Sequence, residues 1–404
     1  MTPFRSAAFR WLWCSSLAAA GAQWMERTAT AWLALEAGGG AFAVGLVAAA
    51  RTVPSLLLGL AAGTIADRAD RPRQLLAVAA GATTLMAALG WLVGAGTVRV
   101  WQVVALAFAA GCLQVFDTPA RQALVVDAVP REAAPGAMAL NALAARLAGA
   151  LGAFGAGVLI PLVGVARCYL VVAALYGLGA ALVAALRVPR ASRLAAAPSF
   201  GRALRGAARL IVDVPAVRTL IAAGIACEVF AFSHGTALPV VARDVLAAGA
   251  GGLGTLNAAV AVGGTAAVAL LAALPGRVRR EPLLGAAFLV YGLSLVALAS
   301  ARELAVAAAV LVVTGICAGT FDVLQQTLIQ LAVPEGQRGR AVGVWVLGLG
   351  SGPIGHLELG TLVAVLGAPG ALSINGTLTV IAAVTLLACA PGYRWALRVR
   401  PIPR

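Results

Sequence analysis

Long apolar segments separated by short polar ones dominate this chain, and that pattern restricts it to a membrane-spanning fold. Of the 404 residues, 61% are hydrophobic and only 11% are charged, which leaves too little polar surface to cover a soluble globule of this length. A helix needs about 20 mainly apolar residues to cross a bilayer. We therefore expect an all-α integral membrane protein with 12 transmembrane helices. The expected helices lie near 11–35, 43–66, 74–96, 101–123, 137–162, 167–187, 217–242, 253–274, 283–300, 304–330, 341–366 and 369–390.

The net charge of +15 comes from arginine, because the sequence contains no lysine. With the N-terminus inside, 23 of the 30 arginines fall at cytoplasmic ends and loops, and four fall outside, at Arg99, Arg167, Arg243 and Arg302. Such a bias sets orientation by the positive-inside rule. We expect a multi-pass protein of the inner or plasma membrane with both termini cytoplasmic. The basicity favours contact with anionic membrane lipids rather than with nucleic acid.

The two halves of the chain are related by an internal repeat. Residues after the fourth span recur 204 residues later, after the tenth, and the Phe-Asp pair just before them recurs with a spacing of 205. The repeated pieces are 122–124 with 326–328, 129–130 with 333–334, and 116–117 with 321–322. The repeat predicts an N-terminal six-helix bundle at 1–187, a cytoplasmic linker at 188–216 and a C-terminal six-helix bundle with a cytoplasmic tail at 217–404.

The most specific motif lies between the second and third spans, where the sequence from Gly63 to Arg73 reads GTIADRADRPR. A short run of alternating acids and arginines between two membrane helices resembles the corresponding loop of major facilitator superfamily (MFS) transporters. One position departs from that pattern, because Asp70 stands where the family usually has glycine. A charged turn between two membrane helices, without a gating role, is the alternative interpretation.

The resemblance assigns these residues to a cytoplasmic gate. It implies a close approach of two helix ends at Gly63, ion pairs of Asp67 and Arg71, and flanking cations at Arg68 and Arg73. In the superfamily pattern the loop arginine reaches an acid at the inner end of the fourth span, which here matches Asp117. Asp67 would lie against the start of helix 11, where the helix dipole favours a carboxylate.

Asp117 and Arg121 are four residues apart in the favourable acid-first order, so they share one helix face. We expect both to belong to the gate. Simple capping with no switching role is the alternative for this pair.

Four further motifs resemble the bacterial exporter subfamily that includes the enterobactin and macrolide efflux proteins. They are AQWM at 22–25 with AWL at 31–33, RTVP at 51–54, FDTPARQAL at 116–124 and LPVVAR at 238–243. The resemblance implies an antiporter that exports a small amphipathic molecule by using the proton gradient, with the substrate site between the two halves near the midplane. The expected partners are a small-molecule substrate, protons and membrane lipids, and we expect a monomer. The alternatives are an importer or lipid flippase of the same fold, or a transport-inactive membrane sensor.

Ionisable residues inside the spans are few, and each costs about 2.5–3.5 kcal/mol at a helix centre on insertion scales, so each needs a partner, a wet cavity or a function. The candidates for proton coupling or for lining the cavity are Glu26, Arg27, Arg51, Arg146, Glu228, His234 and Glu358.

Helices 1 and 7 line the central cavity in the fold that the chain resembles, which makes Glu26 and Glu228 the leading proton carriers. A carboxylate shielded from water takes up a proton more readily, as a carrier must. A structural ion pair of Glu26 with Arg51 or Arg146 is the alternative, whereas the helix of Glu228 offers no nearby cation.

The two histidines are more typical of packed, hydrogen-bonded residues than of a proton relay. His234 lies six residues from Glu228, about 9 Å along a helix and about 120° around it, so direct pairing is not expected. His356 and Glu358 are two residues apart, about 200° around the helix, so at most one of them faces the cavity.

Glycines cluster in the fifth and eleventh spans, at Gly149, Gly152, Gly155 and Gly157 and at Gly348, Gly350, Gly352 and Gly355. We expect them to allow close helix approach where the halves meet, with a bend at Pro353. The antiporter pattern normally has a Gly-Pro pair in the fifth span, and here Gly152-Ala153 replaces it.

Enzyme signatures are missing from the sequence. It has no phosphate-binding loop ending in lysine, no HExxH and no GxSxG, so we expect neither an enzyme nor a bound cofactor. The six cysteines show no CxxC or metal-ligand spacing, which indicates small buried hydrophobes rather than a metal site. Only Cys168, near the outer face, is expected to be reached by a thiol reagent.

Overall fold

The computed structural model describes the backbone of residues 3–68, 70–186, 208–274 and 278–389, and the side chains of these residues except 60–68, 336, 339, 347 and 389. Most of the predicted linker, the C-terminal tail, the side chains of Asp67 and Arg68 and the surroundings of Gly63 lie outside what the structure describes. Within the described residues, ten segments are long and apolar enough to span a membrane, which agrees with an all-α membrane protein.

The helices of the first half are α1 Ala7–Ala34, α2 Gly40–Arg68, α3 Arg71–Gly94, α4 Val100–Asp127, α5 Ala134–Val163 and α6 Val165–Ala184. Local chemistry fixes where they begin. The Ser6 hydroxyl accepts a hydrogen bond from the Phe9 amide at 3.3 Å and caps α1. Pro72 and Pro135 lie in the first turns of α3 and α5, where a missing amide hydrogen costs nothing.

The helices of the second half are α7 Pro215–Ala226, α8 Gly249–Ala273, α9 Arg280–Ser300, α10 Leu304–Leu331, α11 Arg338–Leu349 and α12 Gly352–Cys389. Between α7 and α8 the chain runs through a π turn at Cys227–Ala231, a 3-10 turn at Phe232–Thr236, a helical turn at Leu238–Val240 and a second π turn at Val241–Val245.

Two of the ten apolar segments are far longer than one crossing requires, at 53 residues for Ala7–Gly59 and 37 for Gly352–Ala388. Each contains at least one glycine with a positive φ angle, namely Gly38 at 83° and Gly40 at 62° in the first segment and Gly367 at 74° in the second. Side chains disfavour these angles, so glycine is the residue that permits the chain to break its helical course here.

Contacts divide the chain into two compact units. Unit 1 comprises Met1–Ala197 and Leu238–Ala261, and unit 2 comprises Pro198–Ala237 and Val262–Arg404. In unit 1, α1 packs against α5 and α6, α2 against α4, and α3 against α6. In unit 2, α9 packs against α10 and α12. The predicted domain boundaries at 187 and 217 remain a prediction.

Glycines of the fifth and eleventh predicted spans allow close helix approach within each predicted half as well as between the halves, where it was expected. A Cβ added to Gly152 of α5 would overlap the backbone of Gly21 in α1, and one added to Gly355 of α12 would lie 2.7 Å from the Cα of Val229. Gly157 of α5 approaches Gly254 of α8 in the same way, and this contact joins the two predicted halves although both residues belong to unit 1. The bend expected at Pro353 is a full break, because α11 ends at Leu349 and α12 begins at Gly352.

Three local expectations are wrong. The segment 63–73 is mostly helical, since α2 continues to Arg68 and α3 begins at Arg71. The single helix expected at 217–242 is regular only to Ala226. Cys168 is fully buried in α6, whereas Cys14 on α1 is exposed.

Candidate functional site

Side chains from three helices of unit 1 form a buried polar group, here called the arginine cluster: Glu26 and Arg27 on α1, Arg51 on α2 and Gln114 on α4. The Arg51 Nη1 lies 2.5 Å from Glu26 Oε1, and the two side chains are only 10% and 2% exposed. The structure therefore shows the ion pair that was the alternative to a free, proton-carrying Glu26.

Gln114 joins the two arginines of the cluster. Its Oε1 accepts a hydrogen bond from Arg27 Nη2 at 3.1 Å and another from Arg51 Nη2 at 3.2 Å. The Arg27 guanidinium also lies 5.0 Å from the ring centre of Trp24, in cation–π range. Adjacent positions on α1 thus give Glu26 and Arg27 different partners, as expected from their angular separation.

Asp117 and Arg121 form a second ion pair of unit 1, on α4. Both Asp117 oxygens accept hydrogen bonds from Arg121, at 2.7 and 2.8 Å, in the two-pronged geometry that guanidinium and carboxylate favour. Arg121 Nη1 also donates to the hydroxyls of Ser15 and Ser16 at 3.3 and 3.4 Å. The predicted pairing along one face of the helix is present, and it is tied to α1.

A cavity of about 270 Å³ lies within unit 1 beside these two groups. Arg51 and Gln114 of the arginine cluster line it, together with Asp117, Arg121, Asn141 and Tyr176, and side chains such as Val78, Met86 and Leu113 form its apolar part. Such a mixture of apolar surface and a few polar groups is typical of sites for small molecules.

Arg71 pairs with Asp127 at the C-terminal end of α4, and the predicted Arg71–Asp117 contact is wrong. Asp117 lies ten residues before Asp127, which places it about 15 Å further along the helix axis. Asp70 caps α3 by accepting a hydrogen bond from the Arg73 amide at 3.3 Å. This gives the residue that replaces the usual glycine a structural role.

Glu228 of unit 2 lies on the π turn that ends the regular part of α7. Among the residues that the structure describes, no hydrogen bond or ion pair is formed by its half-buried carboxylate. The carboxyl of Asp322 on α10 is close enough to act on it electrostatically. A Cβ added to Gly352 would lie 3.4 Å from Glu228 Oε2, so the start of α12 adjoins the carboxylate.

The remaining candidates of unit 2 have hydrogen-bond partners. His234 is buried, with Nδ1 2.9 Å from the Ala231 carbonyl and 3.1 Å from the Tyr291 hydroxyl. His356 Nδ1 lies 2.9 Å from Thr236 Oγ1, and Glu358 Oε2 accepts a hydrogen bond from the buried Asn375 at 3.0 Å.

Arg146, the remaining candidate of unit 1, lies half-buried on α5.

Across the described ranges, no group of three or more His, Cys, Asp or Glu side chains is arranged to hold a metal ion.

Gln114, Asp127 and Asn375 take part in these contacts although they were not among the predicted site residues. Gln114 and Asn375 are uncharged, so a search for ionisable residues inside spans does not find them. Asp127 was overlooked because it lies beyond the expected end of the fourth span at 123, in the last turn of α4.

Solved transporter structures share this fold at low sequence identity. A POT family transporter in complex with 5-aminolevulinic acid superposes with a TM-score of 0.73 at 10% identity, over 95% of this chain and 96% of that one. A bacterial homolog to the human lysosomal transporter Spinster, in an inward-facing and occupied conformation, gives 0.72 at 16%, over the whole of both chains. The nucleoside transporter NupG gives 0.72 at 12%, over 98% of this chain and 100% of that one.

At the sequence level, the profile of the family described as transmembrane secretion effector matches residues 1–397. No curated protein sequence matches the chain.

Proposed function

Because the chain belongs to the transmembrane secretion effector family of MFS transporters, we propose that it exports a small amphipathic molecule in exchange for protons, by alternating access. The family match and the shared fold support a transporter. The description of the family as secretory supports export, as does the resemblance of the sequence motifs to bacterial efflux proteins.

We propose that the chain crosses the membrane twelve times. A continuous helix of 53 residues would be about 80 Å long and one of 37 residues about 55 Å, both well beyond an apolar core of about 30 Å. Two crossings within each of these segments, separated at Gly38–Gly40 and at Gly367, turn ten apolar segments into twelve. An even number agrees with the arginine bias, which supports cytoplasmic termini.

The observation that carries the coupling proposal is the environment of Glu228. A carboxylate inside a membrane segment is costly unless it is paired, and within the described residues Glu228 has an acid nearby but no ion-paired cation. A π turn places it, and such turns are frequent at functional sites. Shielding from water and the nearby Asp322 favour a protonated carboxyl, whereas the start of α12 beside it favours the charged form. Both protonation states therefore have a structural reason here, as loading and release of a proton require.

We assign Glu26 a positioning role instead. Its carboxylate is held by Arg51 and screened from water, so releasing it for proton transfer would leave Arg51 without its counter-ion.

The cytoplasmic gate remains part of the proposal, in altered form. Arg71 and Asp127 form its described ion pair, at the ends of α3 and α4 that adjoin the motif. Asp67 remains its proposed second acid on the strength of the MFS resemblance, with Gly63 and Arg68 beside it. Transport by an Asp67→Asn variant should fall well below the wild-type rate at equal expression. An unchanged rate would make the motif a charged turn only.

Flux into proteoliposomes tests the function directly. The purified chain is reconstituted with its cytoplasmic face outward, an acidic lumen is imposed, and a panel of siderophores and antibiotics is offered outside. We expect uphill accumulation of at least one compound, abolished by a protonophore and absent from protein-free liposomes. Accumulation that requires an alkaline lumen would indicate an importer, and the absence of flux for every compound would count against export.

Cysteine labelling on whole cells tests the orientation. In a variant with the exposed Cys14 replaced by serine, an impermeant thiol reagent should label Thr97→Cys, in the exposed turn between α3 and α4, but not Arg193→Cys in the linker. The reverse labelling pattern would overturn the topology.

A further inference from the structure

The charged side chains on α1, α2 and α4 of unit 1 do not balance. The arginine cluster and the Asp117–Arg121 pair together contain three guanidinium groups, from Arg27, Arg51 and Arg121, but only two carboxylates, from Glu26 and Asp117. These five residues therefore carry one surplus positive charge inside membrane-spanning helices. An uncompensated charge at that depth is expensive, and it marks a place where a counter-ion is favoured.

The hydrogen bonds locate the surplus charge at Arg27 and Arg51. Glu26 pairs with Arg51 and Asp117 with Arg121. Among the described residues, the contacts of the Arg27 guanidinium are a hydrogen bond to the neutral Gln114 oxygen and the Trp24 ring, and Glu26 acts on it electrostatically without pairing with it. Both arginines donate to this single amide oxygen. The Nε–H groups of Arg27 and Arg51 are buried and find no acceptor among the described residues. A buried donor without a partner costs about 1–3 kcal/mol.

The cavity of unit 1 gives a ligand access to Arg51 and Gln114 of this group, and contact with Arg27 requires the Gln114 side chain to move aside. Arg51 and Gln114 are part of its wall, and Asn141 contributes a buried Oδ1 that also lacks a partner within the described part of the chain. A volume of about 270 Å³ is enough for a small aromatic or aliphatic molecule, and the apolar wall from Val78, Met86 and Leu113 suits such a body.

We propose that this cavity binds a small amphipathic molecule that carries a carboxylate, with the carboxylate bound by Arg51 and Arg27 at the position now occupied by Gln114 Oε1. A carboxylate there receives charge-assisted hydrogen bonds in place of bonds to a neutral amide, and it balances the surplus charge. The Asn141 oxygen is placed to accept a hydrogen bond from a hydroxyl or amine of the same ligand. That the bound acid is also the transported molecule rests on the proposed function, whereas the binding itself does not.

Equilibrium binding to the purified full-length protein in detergent tests this inference. The probes are aromatic monocarboxylates, from benzoate to naphthylacetate, and the uncharged amide of each. We expect at least one acid to bind about tenfold or more tightly than its amide, because one charge-assisted hydrogen bond in a buried site is worth about one factor of ten or more. The proposal is overturned if every acid binds with the same affinity as its amide, or if neither member of any pair binds.

A substitution of Gln114 distinguishes recognition of the carboxylate from nonspecific hydrophobic binding. Gln114→Glu supplies a permanent carboxylate between Arg27 and Arg51 with almost no change in shape. The variant should therefore unfold at a higher temperature than the wild type without ligand, and its preference for acids over amides should be lost. Retention of the full acid preference in this variant would contradict the proposal.

Gln326→Glu is the matched control, because Gln326 is a half-buried glutamine on α10 of unit 2 and no contact with an arginine is described for it. It should keep the acid preference and gain no thermal stability. Since these measurements need no gradient and no second compartment, they can succeed even if the proteoliposome assay shows no proton-linked export, and they can fail while export is demonstrated.

Discussion

The Glu26–Arg51 ion pair allows a quantitative test of how this membrane protein stabilises charge. The charged atoms are 2.5 Å apart and the side chains are 2% and 10% exposed. At an effective dielectric constant of about 20, two unit charges about 4 Å apart attract by about 4 kcal/mol. Removing one partner of a buried pair leaves the other charge uncompensated, which costs about 3–5 kcal/mol.

The perturbation is a double-mutant cycle with Glu26→Gln, Arg51→Met and the double variant. Each single variant should lower the free energy of unfolding by about 3–5 kcal/mol. The double variant should lose about 2–3 kcal/mol less than the sum of the singles, because it leaves neither member of the pair stranded. Reversible unfolding in mixed detergent micelles, followed by tryptophan fluorescence, measures all three.

The exposed pair of Arg243 with Asp244 is the internal control. Its atoms are 2.6 Å apart, nearly the same distance, but its side chains are 41% and 47% exposed. A cycle with Arg243→Gln and Asp244→Asn should therefore give a coupling below about 1 kcal/mol. Additive effects at Glu26 and Arg51, or couplings of equal size at the two sites, would refute the reasoning that burial sets the strength of the pair.

Two further predictions concern packing and the gate. Gly152→Ala should lower the free energy of unfolding by about 1–3 kcal/mol, because the added Cβ would overlap the Gly21 backbone. Gly59→Ala, at a position with open space around it, should be neutral or slightly stabilising. Thermal unfolding of the two variants measures the difference, and equal melting temperatures would contradict this prediction. Asp127→Asn should slow transport at equal expression because the Arg71–Asp127 ion pair is lost, and Asp127→Glu should restore part of the rate. Wild-type flux in Asp127→Asn would show that this pair has no gating role.

The general architecture follows from the sequence because membrane insertion depends on the length and polarity of each segment, which are local properties. The predicted helix ends are less accurate than the predicted architecture, for a related reason. The second span was expected to end at 66, where the charges of the motif begin, and the fourth at 123, shortly after Asp117 and Arg121, yet α2 continues to Arg68 and α4 to Asp127. Charged residues interrupt an apolar pattern without interrupting the backbone hydrogen bonds of a helix.

Pairings within the site depend on depth and on neighbouring helices, which one sequence does not specify. The family pattern suggested Asp117 as the partner of Arg71, but one extra stretch of about 15 Å along α4 separates the two candidate acids, and Arg71 contacts the nearer one, Asp127. The Glu26–Arg51 pair joins residues 25 positions apart on successive helices, so it was one of several open possibilities.

The interruption of the seventh span is the least predictable feature. Residues 217–242 are apolar enough for a regular helix, and the turns beyond Ala226 arise where backbone groups find other partners, such as the Val229 carbonyl that accepts from Ser233 Oγ at 2.7 Å. These turns place Glu228, so the position of the proposed proton carrier could not have been derived from helical spacing alone.

Proton-driven accumulation by Glu228→Gln tests the central claim most directly. Glutamine mimics the protonated carboxyl permanently, so the variant should exchange labelled substrate across the proteoliposome membrane at a measurable rate but should not accumulate it when the lumen is made acidic. Glu281→Gln, the same change in the first turn of α9, should accumulate substrate like the wild type. If Glu228→Gln still concentrates substrate with the wild-type dependence on the imposed pH difference, Glu228 is not the proton carrier.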